Sequence, residues 1–322
     1  MLFRSQQVTG LLFSAIVLYR SNQNRKKVNQ LLVAQKKDIE DKNFELERQK
    51  DSIEEKNIRI QRINKNITGS INYASRIQQA MLPKTGYYRQ FVKDIFVYFR
   101  PKEIVSGDFY WFARNAEQNK VFLAAVDCTG HGVPGAFMSL IGISFLNQIV
   151  NAQKLTEPDL ILNRLHEYIR ASLNQARNQS RDGMDIALCA VDYNNKVVEY
   201  AGARNPLIYI VNNEVFQLKA DGMDIGGIQK ESERRFTKQT FPLEDDMTLY
   251  LFTDGYQDQF GGRDKQKFMR KNFKDLLFNI HQSDMIIQYQ RLDETIENWI
   301  SQEDGSKLEQ VDDILVVGVK IS

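Results

Sequence analysis

"AAVDCTGHGVPGAFMS", Ala124 to Ser139, opens as a buried strand and closes as a helix. The apolar run ends on one carboxylate, Asp127. Gly130, Gly132 and Gly135 then let the backbone turn tightly, and Pro134 suits a first helical turn, where its missing N–H is not needed. A carboxylate at the rim of a core is costly unless it is paired or holds a cation.

The same setting recurs along the chain. "VSGDFYW" places Asp108 after a glycine, "LYLFTDGYQD" places Asp254 before Gly255, and "EQVDDILVVGV" leads Asp312 and Asp313 into an apolar run. None of these acids has a lysine or arginine beside it in sequence. Carboxylates in this number are hard oxygen ligands and suit Mg²⁺ or Mn²⁺ better than zinc. The chain has three histidines and two cysteines, without the spacing of a zinc site. Acids converging from several strands can hold two cations ~3.5–4 Å apart, an arrangement that activates water for attack on phosphorus.

Around these acids the texture is that of an α+β domain. "FVKDIFVYFRP", "KVFLAAVDC", "MDIALCAVDY", "KVVEYAGA", "PLIYIVNN", "MTLYLFTDG" and "DDILVVGVKIS" are short apolar or alternating runs bounded by turn residues, the signature of strands. Asn194-Asn195 and Asn212-Asn213 separate adjacent runs, as in antiparallel hairpins. Helical patterns cover 135–153, 157–179 and 268–300, the last with a break near Ser283. Antiparallel sheets with helices packed outside follow.

Before Pro83 the pattern differs. Leu32, Ile39, Leu46, Ile53, Ile60, Ile67, Ala74 and Met81 recur every seventh residue without a slip. This is the period of a left-handed coiled coil. The alternate seam positions Gln35, Lys42, Gln49 and Lys56 are polar, so the pairing is weak and able to change. The segment "VTGLLFSAIVLY" (Val8–Tyr19) is apolar and is followed by Arg20, Arg25, Lys26 and Lys27. At about 12 residues it is short for a membrane span, which needs ~20. Two readings stand: a short anchor within residues 1–20, held at the cytoplasmic face of the inner membrane by the basic residues after it, or an apolar helix end covered by self-association. A net charge of +2 argues against a nucleic-acid binder, and two unpaired cysteines suit a reducing cytoplasm. The chain thus divides into 1–20, a coiled-coil helix over 21–82 and a catalytic domain over 83–322.

In order and approximate spacing, "SGDFY", "DCTGHG", "FTDG" and "DDILVVGVK" resemble the SpoIIE/RsbU-like branch of the PPM, or type 2C, metal-dependent protein serine/threonine phosphatases. "INYASRIQQAMLP" and "YAGARNPLIYI" are similar to the same branch, and the likeness covers roughly 71–322. It implies an α-β-β-α sandwich of two antiparallel sheets and a site with two Mn²⁺ or Mg²⁺ ions. Asp127 would bridge both metals, the Cys128 backbone carbonyl would bind the first, Asp254 and Asp312 the second, and Asp108 would approach the first directly or through water. Two positions depart from the family: Trp111 replaces a final acid in "GDFYW", and Leu315 replaces a hydroxyl in "DDIL".

His131 either protonates the leaving group or packs at the helix start. Arg204, where the family often has a histidine, either steers phosphate or makes a structural ion pair. Asp185 reads as standing behind the ligands, Asp313 and Asp224 as turn acids. The resemblance implies as substrate a phosphorylated STAS-type anti-sigma-factor antagonist, and a homodimer regulated through its coiled coil. The competing reading is a non-catalytic module that keeps the fold and binds a phosphoprotein.

Overall fold

The computed structural model describes residues 2–178, 180–229 and 231–321. The chain divides into two units, Met1–Gly69 and Ser70–Ser322. Helix α1 (Leu2–Met81) runs through the boundary without a break. It stops where Pro83 can no longer donate a backbone hydrogen bond. In the first unit the heptad residues Leu32, Ile39, Leu46, Ile53, Ile60 and Ile67 are each more than half exposed. Exposed pairs such as Lys42–Asp38 at 2.8 Å add only a few tenths of a kcal/mol each, on the order of 0.3.

The second unit is two stacked antiparallel sheets. One has the order β1-β13-β10-β6-β7: β1 (Asp94–Arg100), β13 (Ile314–Lys320), β10 (Thr248–Phe252), β6 (Leu207–Val211) and β7 (Glu214–Leu218). The other has the order β2-β3-β4-β5-β9: β2 (Phe109–Asn115), β3 (Lys120–Cys128), β4 (Gly183–Asp192), β5 (Val197–Ala203) and β9 (Gln239–Pro242), with β8 (Ile225–Gly226) paired to β4. A small ribbon joins β11 (Phe260–Gly261) to β12 (Gln266–Lys267).

Side-chain alternation along the central strands explains the layers. On β3, Val121, Leu123 and Ala125 enter the core between the sheets, together with Leu315, Val317 and Val319 of β13. Phe122, Ala124 and Val126 face the opposite way and pack with α3 (Gly132–Asn147) and α4 (Pro158–Ser172). Ile314 and Val316 of β13 face α7 (Arg270–Ile280) and α8 (Met285–Ile300) on the far side. Strands buried on both faces read as continuous apolar runs, which is why "KVFLAAVDC" shows so little alternation. The remaining helices are short: α2 (Thr85–Tyr88), α5 (Gln175–Asn178) and α6 (Gly255–Asp258). The architecture is the α-β-β-α sandwich expected.

Element ends moved from expectation for local reasons. Helix α3 begins at Gly132, with His131 as its N-cap, and continues as a π-helical turn over Gln148–Ala152. The expected helix over 157–179 breaks at Asn174, whose φ of 53° ends α4. Asn212 and Asn213 both have positive φ, 50° and 61°, as a type I′ hairpin requires. Among the described residues, one helix is long and apolar enough to cross a membrane, Gly132–Ala152, and half of it is buried as the core helix under β3.

The two ends of β3 differ in charge. Lys120, at its start, is buried with Glu199 at 2.7 Å and Asp192 at 3.5 Å. Asp127, near the other end, lies across the ladder from Asp185 of β4. One end is a closed ion cluster; the other carries acids without such a partner.

Candidate active site

The site forms where β3, β4, β10 and β13 bring their acids to one end of the sandwich. Asp127 closes β3, Asp185 opens β4 opposite it, Asp254 follows β10, and Asp312 precedes β13. Asp127, Asp185, Asp224 and Asp312 line a cavity of about 220 Å³, with Cys128, His131 and Arg204. Arg204 supplies the one guanidinium on that wall among the described residues. Asp108 and Asp254 do not line the cavity but act on it through space.

Close backbone approach makes the turn possible. A Cβ at either Gly107 or Gly135 would collide with the carbonyl oxygen of Gly130. Gly130 itself has a φ of 85°, open to glycine at little cost. The "SGD" loop, the "TGHG" turn and the start of α3 therefore interlock only with glycine at these positions. Asp313 fixes the same loop: its carboxylate accepts from the backbone N–H of Lys102 and of Gly107, both at 2.7 Å. Its reading as a turn acid matches this placement.

Electrostatics set the chemistry. Burial, then the charges of Asp254, Asp312 and Asp185, push the Asp127 carboxyl up to about 8. Burial raises Asp185 to about 7, with Arg204 opposing. Asp108 is buried and accepts from Thr253 Oγ1 at 2.6 Å. Burial and the nearby Asp127 hold its carboxyl well above the usual range despite that bond. Asp254 is raised by burial and by Asp258 and Asp312, against Lys267 and Arg270. Each acid is strained by the others, and a divalent cation is the group that would relieve all of them.

The donor chemistry fits a hard cation, carboxylate oxygens with one backbone carbonyl in reach of the turn. Among the described residues, no three His, Cys, Asp or Glu side chains already converge at ligand spacing. The acids thus share a field without meeting at ligand spacing.

His131 is half exposed, and its Nδ1 lies 2.7 Å from Glu103 Oε1. Arg204 stands 4.0 Å from Asp185 through its Nε. Asp224 pairs with Arg234 at 2.7 Å while also lining the cavity. Trp111, where the family has an acid, is buried and donates its indole N–H to Asn147 at 2.9 Å. Leu315 is fully buried in the core between the sheets.

Asp185, expected to stand behind the ligands, lines the cavity, as does Asp224, expected as a turn acid. Two further residues that touch the site carried no expectation. Thr253 precedes Asp254 and could have been suspected from adjacency. Glu103 has no sequence signal, since its contact to His131 spans 28 positions.

Residues 117–322 match the family Stage II sporulation protein E, SpoIIE. The chain belongs to the SpoIIE family. Asp127, Asp254 and Asp312 fall inside the matched region and Asp108 just before it. The PP2C domain of SiaA from Pseudomonas aeruginosa is 28% identical at a TM-score of 0.71, covering 80% of this chain and 98% of that one. The PP2C phosphatase domain of SpoIIE from Bacillus subtilis, with a fragment of its regulatory domain, is 17% identical at 0.57, covering 71% of this chain and 63% of that one. The RsbU and RsbW domains of a Mycobacterium tuberculosis protein are 17% identical at 0.53, covering 71% and 59%. The latter two share the fold. No curated protein matches the chain. The SpoIIE-family chain is a PP2C-type protein serine/threonine phosphatase, as its motifs implied.

Proposed function

We propose that this phosphatase is metal-dependent and hydrolyses phosphoserine or phosphothreonine with two Mn²⁺ or Mg²⁺ ions. The observation that carries the reading is the gathering of Asp127, Asp185 and Asp312 on one cavity, with Asp254 and Asp108 acting from outside it and one arginine on its wall among the described residues. Asp127 and the Cys128 carbonyl, with Asp108 behind them, would hold one ion, and Asp127, Asp254 and Asp312 the other. When bound, such a pair supplies a water nucleophile at neutral pH and positive charge against the phosphate.

The chain's own groups do the rest. Asp313 and the glycine contacts hold the "SGD" and "TGHG" backbones in place, so the acids meet the ions in a fixed frame. Asp185 and Arg204 face the phosphate side of the cavity, where the guanidinium orients phosphoryl oxygens. Glu103 fixes one nitrogen of the His131 ring, leaving the other to return a proton to the departing serine oxygen.

The substrate is a small phosphorylated antagonist of an anti-sigma factor, of the STAS type. Supporting that choice is the family's membership rather than any contact at the cavity. The enzyme works as a homodimer through α1, since its apolar heptad residues are exposed in the single chain and a second helix would bury them. Coiled-coil pairing regulates turnover through residues 71–81, which enter the catalytic unit by way of buried Gln78. The apolar stretch Val8–Tyr19 and the basic residues after it tether the dimer to the cytoplasmic face of the membrane.

Phosphate release from a phosphoserine peptide tests the reading. The full chain should turn over the peptide with Mn²⁺ or Mg²⁺, lose activity in EDTA, and prefer it to the same peptide carrying phosphotyrosine. Turnover that survives EDTA would remove the metals from the account. No turnover with any divalent cation would favour the non-catalytic phosphoprotein-binding module.

A further inference from the structure

A second concavity adjoins the acid cavity. It measures about 360 Å³, and Arg181, Arg204, Met223, Asp224, Ile228 and Arg234 line it with Glu231. Arg204 and Asp224 also line the acid cavity, so the two spaces share a wall. A peptide with its phosphate beside Asp127 has this groove open to its neighbouring residues.

The charges in the groove do not cancel. Arg234 is buried and consumes both acids: it donates to Asp224 Oδ1 at 2.7 Å and to Glu231. It also ties the carbonyls of Asp224 at 2.7 Å, Gly226 at 3.0 Å and Ile228 at 3.0 Å, which makes the wall rigid. Two arginines remain. Arg181 is exposed and makes no ion pair among the described residues. Arg204 is exposed, with its nearest acid 4.0 Å away at Asp185.

Arg204 is also held in an unfavourable backbone state. Its φ is 57°, left-handed for a residue that is not glycine, a conformation that costs on the order of 1 kcal/mol or more. The surroundings enforce it: its N–H donates to Asp221 O at 2.8 Å, and buried Tyr200 donates to the next carbonyl, Asn205 O, at 2.6 Å. Strain kept up by fixed neighbours at a cavity rim points to a side chain whose placement matters.

We propose that Arg181 selects substrates with an acidic side chain flanking the phosphorylated serine or threonine, while Arg204 on the shared wall meets the phosphate. The inference rests on the phosphatase reading and adds what the groove recognises. Met223 and the exposed Ile228 give the aliphatic part of that segment an apolar surface. One exposed guanidinium on a carboxylate is worth up to about 1 kcal/mol, close to a fivefold preference.

The test compares two phosphoserine peptides of equal length, one flanked by aspartates and one by alanines, on the full chain with Mn²⁺. The aspartate peptide should show a kcat/KM about fivefold higher at low ionic strength, and the ratio should fall towards one at high salt. Arg181→Glu should abolish the preference and Arg181→Lys should keep most of it. A ratio near one in the unmodified enzyme, or one untouched by Arg181→Glu, overturns the inference while the phosphatase reading stands. Failure to hydrolyse either peptide or p-nitrophenyl phosphate overturns both.

Discussion

Replacing Asp127 with asparagine separates what the carboxylate costs from what it does. Burial and neighbouring acids raise its pKa from 3.8 to about 8. A carboxyl raised on folding binds its proton more tightly in the folded state, so its contribution is full below the unfolded value and is lost as pH climbs through the folded one. For Asp127 that window runs from about 4 to about 8. At ~1.36 kcal/mol per pH unit, metal-free protein should lose up to about 4 kcal/mol between about pH 5 and pH 8 through this group. Asp185 and Asp108 take up part of the proton as Asp127 ionises, which brings the expected loss to ~2–4 kcal/mol. Asp127→Asn has no such charge. Denaturant unfolding of both proteins in EDTA should therefore give an Asn variant whose advantage over the parent grows by ~2–4 kcal/mol across that interval. Added Mn²⁺ should reverse the order by stabilising the parent alone. A stability difference that stays constant with pH, or a parent that gains on the variant as pH rises in EDTA, would refute the reasoning.

Other outcomes follow from contacts away from the acids. Lys120→Met takes the buried ammonium from Glu199 and Asp192 while Lys238 stays 3.0 Å from Glu199, so it should cost ~2–4 kcal/mol in urea unfolding, somewhat less than a buried pair broken outright; a cost under about 1 kcal/mol would show that water reaches the cluster. Gln78 donates to Ser106 O at 2.6 Å and Ser139 Oγ at 2.8 Å and accepts from Ser106 N at 3.1 Å. Gln78→Ala strands the Ser106 backbone two residues before Asp108, so it should cost roughly 2–4 kcal/mol and lower turnover, read from unfolding curves and phosphate release. Ile53→Asp with Ile60→Asp should convert a dimer to a monomer in sedimentation and change turnover; a monomer with unaltered turnover would sink regulation through the coiled coil.

Much of the fold could be read from single strands of the chain. The apolar runs marked the strands because β3, β4 and β13 are buried on both faces, and Asn212-Asn213 marked a hairpin because both tolerate positive φ, whereas in the Asn194-Asn195 turn Lys196 takes it. The acids at strand ends were legible for the opposite reason: polar groups at the rim of apolar runs stand out. What stayed hidden was long-range. Glu103 meets His131, Thr253 meets Asp108, and Arg234 meets Asp224 only after the sheets stack, and no local pattern announces such pairs. The place of Asp185 across the ladder from Asp127 was hidden for the same reason, since it depends on the register of β3 against β4. Helix ends also moved, by less than a turn at His131 and by nearly two turns at Asn174, where one residue chose the boundary.

In the proposed reading, the acids at this end of the sandwich hold the ions that make the enzyme work. Hydrolysis of p-nitrophenyl phosphate with Mn²⁺, measured side by side for the full chain, Asp127→Ala and Asp254→Ala, tests it most directly. The account predicts metal-dependent turnover by the parent and a loss of about a hundredfold or more in each variant, the scale of removing one charge-stabilising group from a reaction centre. Equal activity in all three, or none in the parent with any divalent cation, would contradict it.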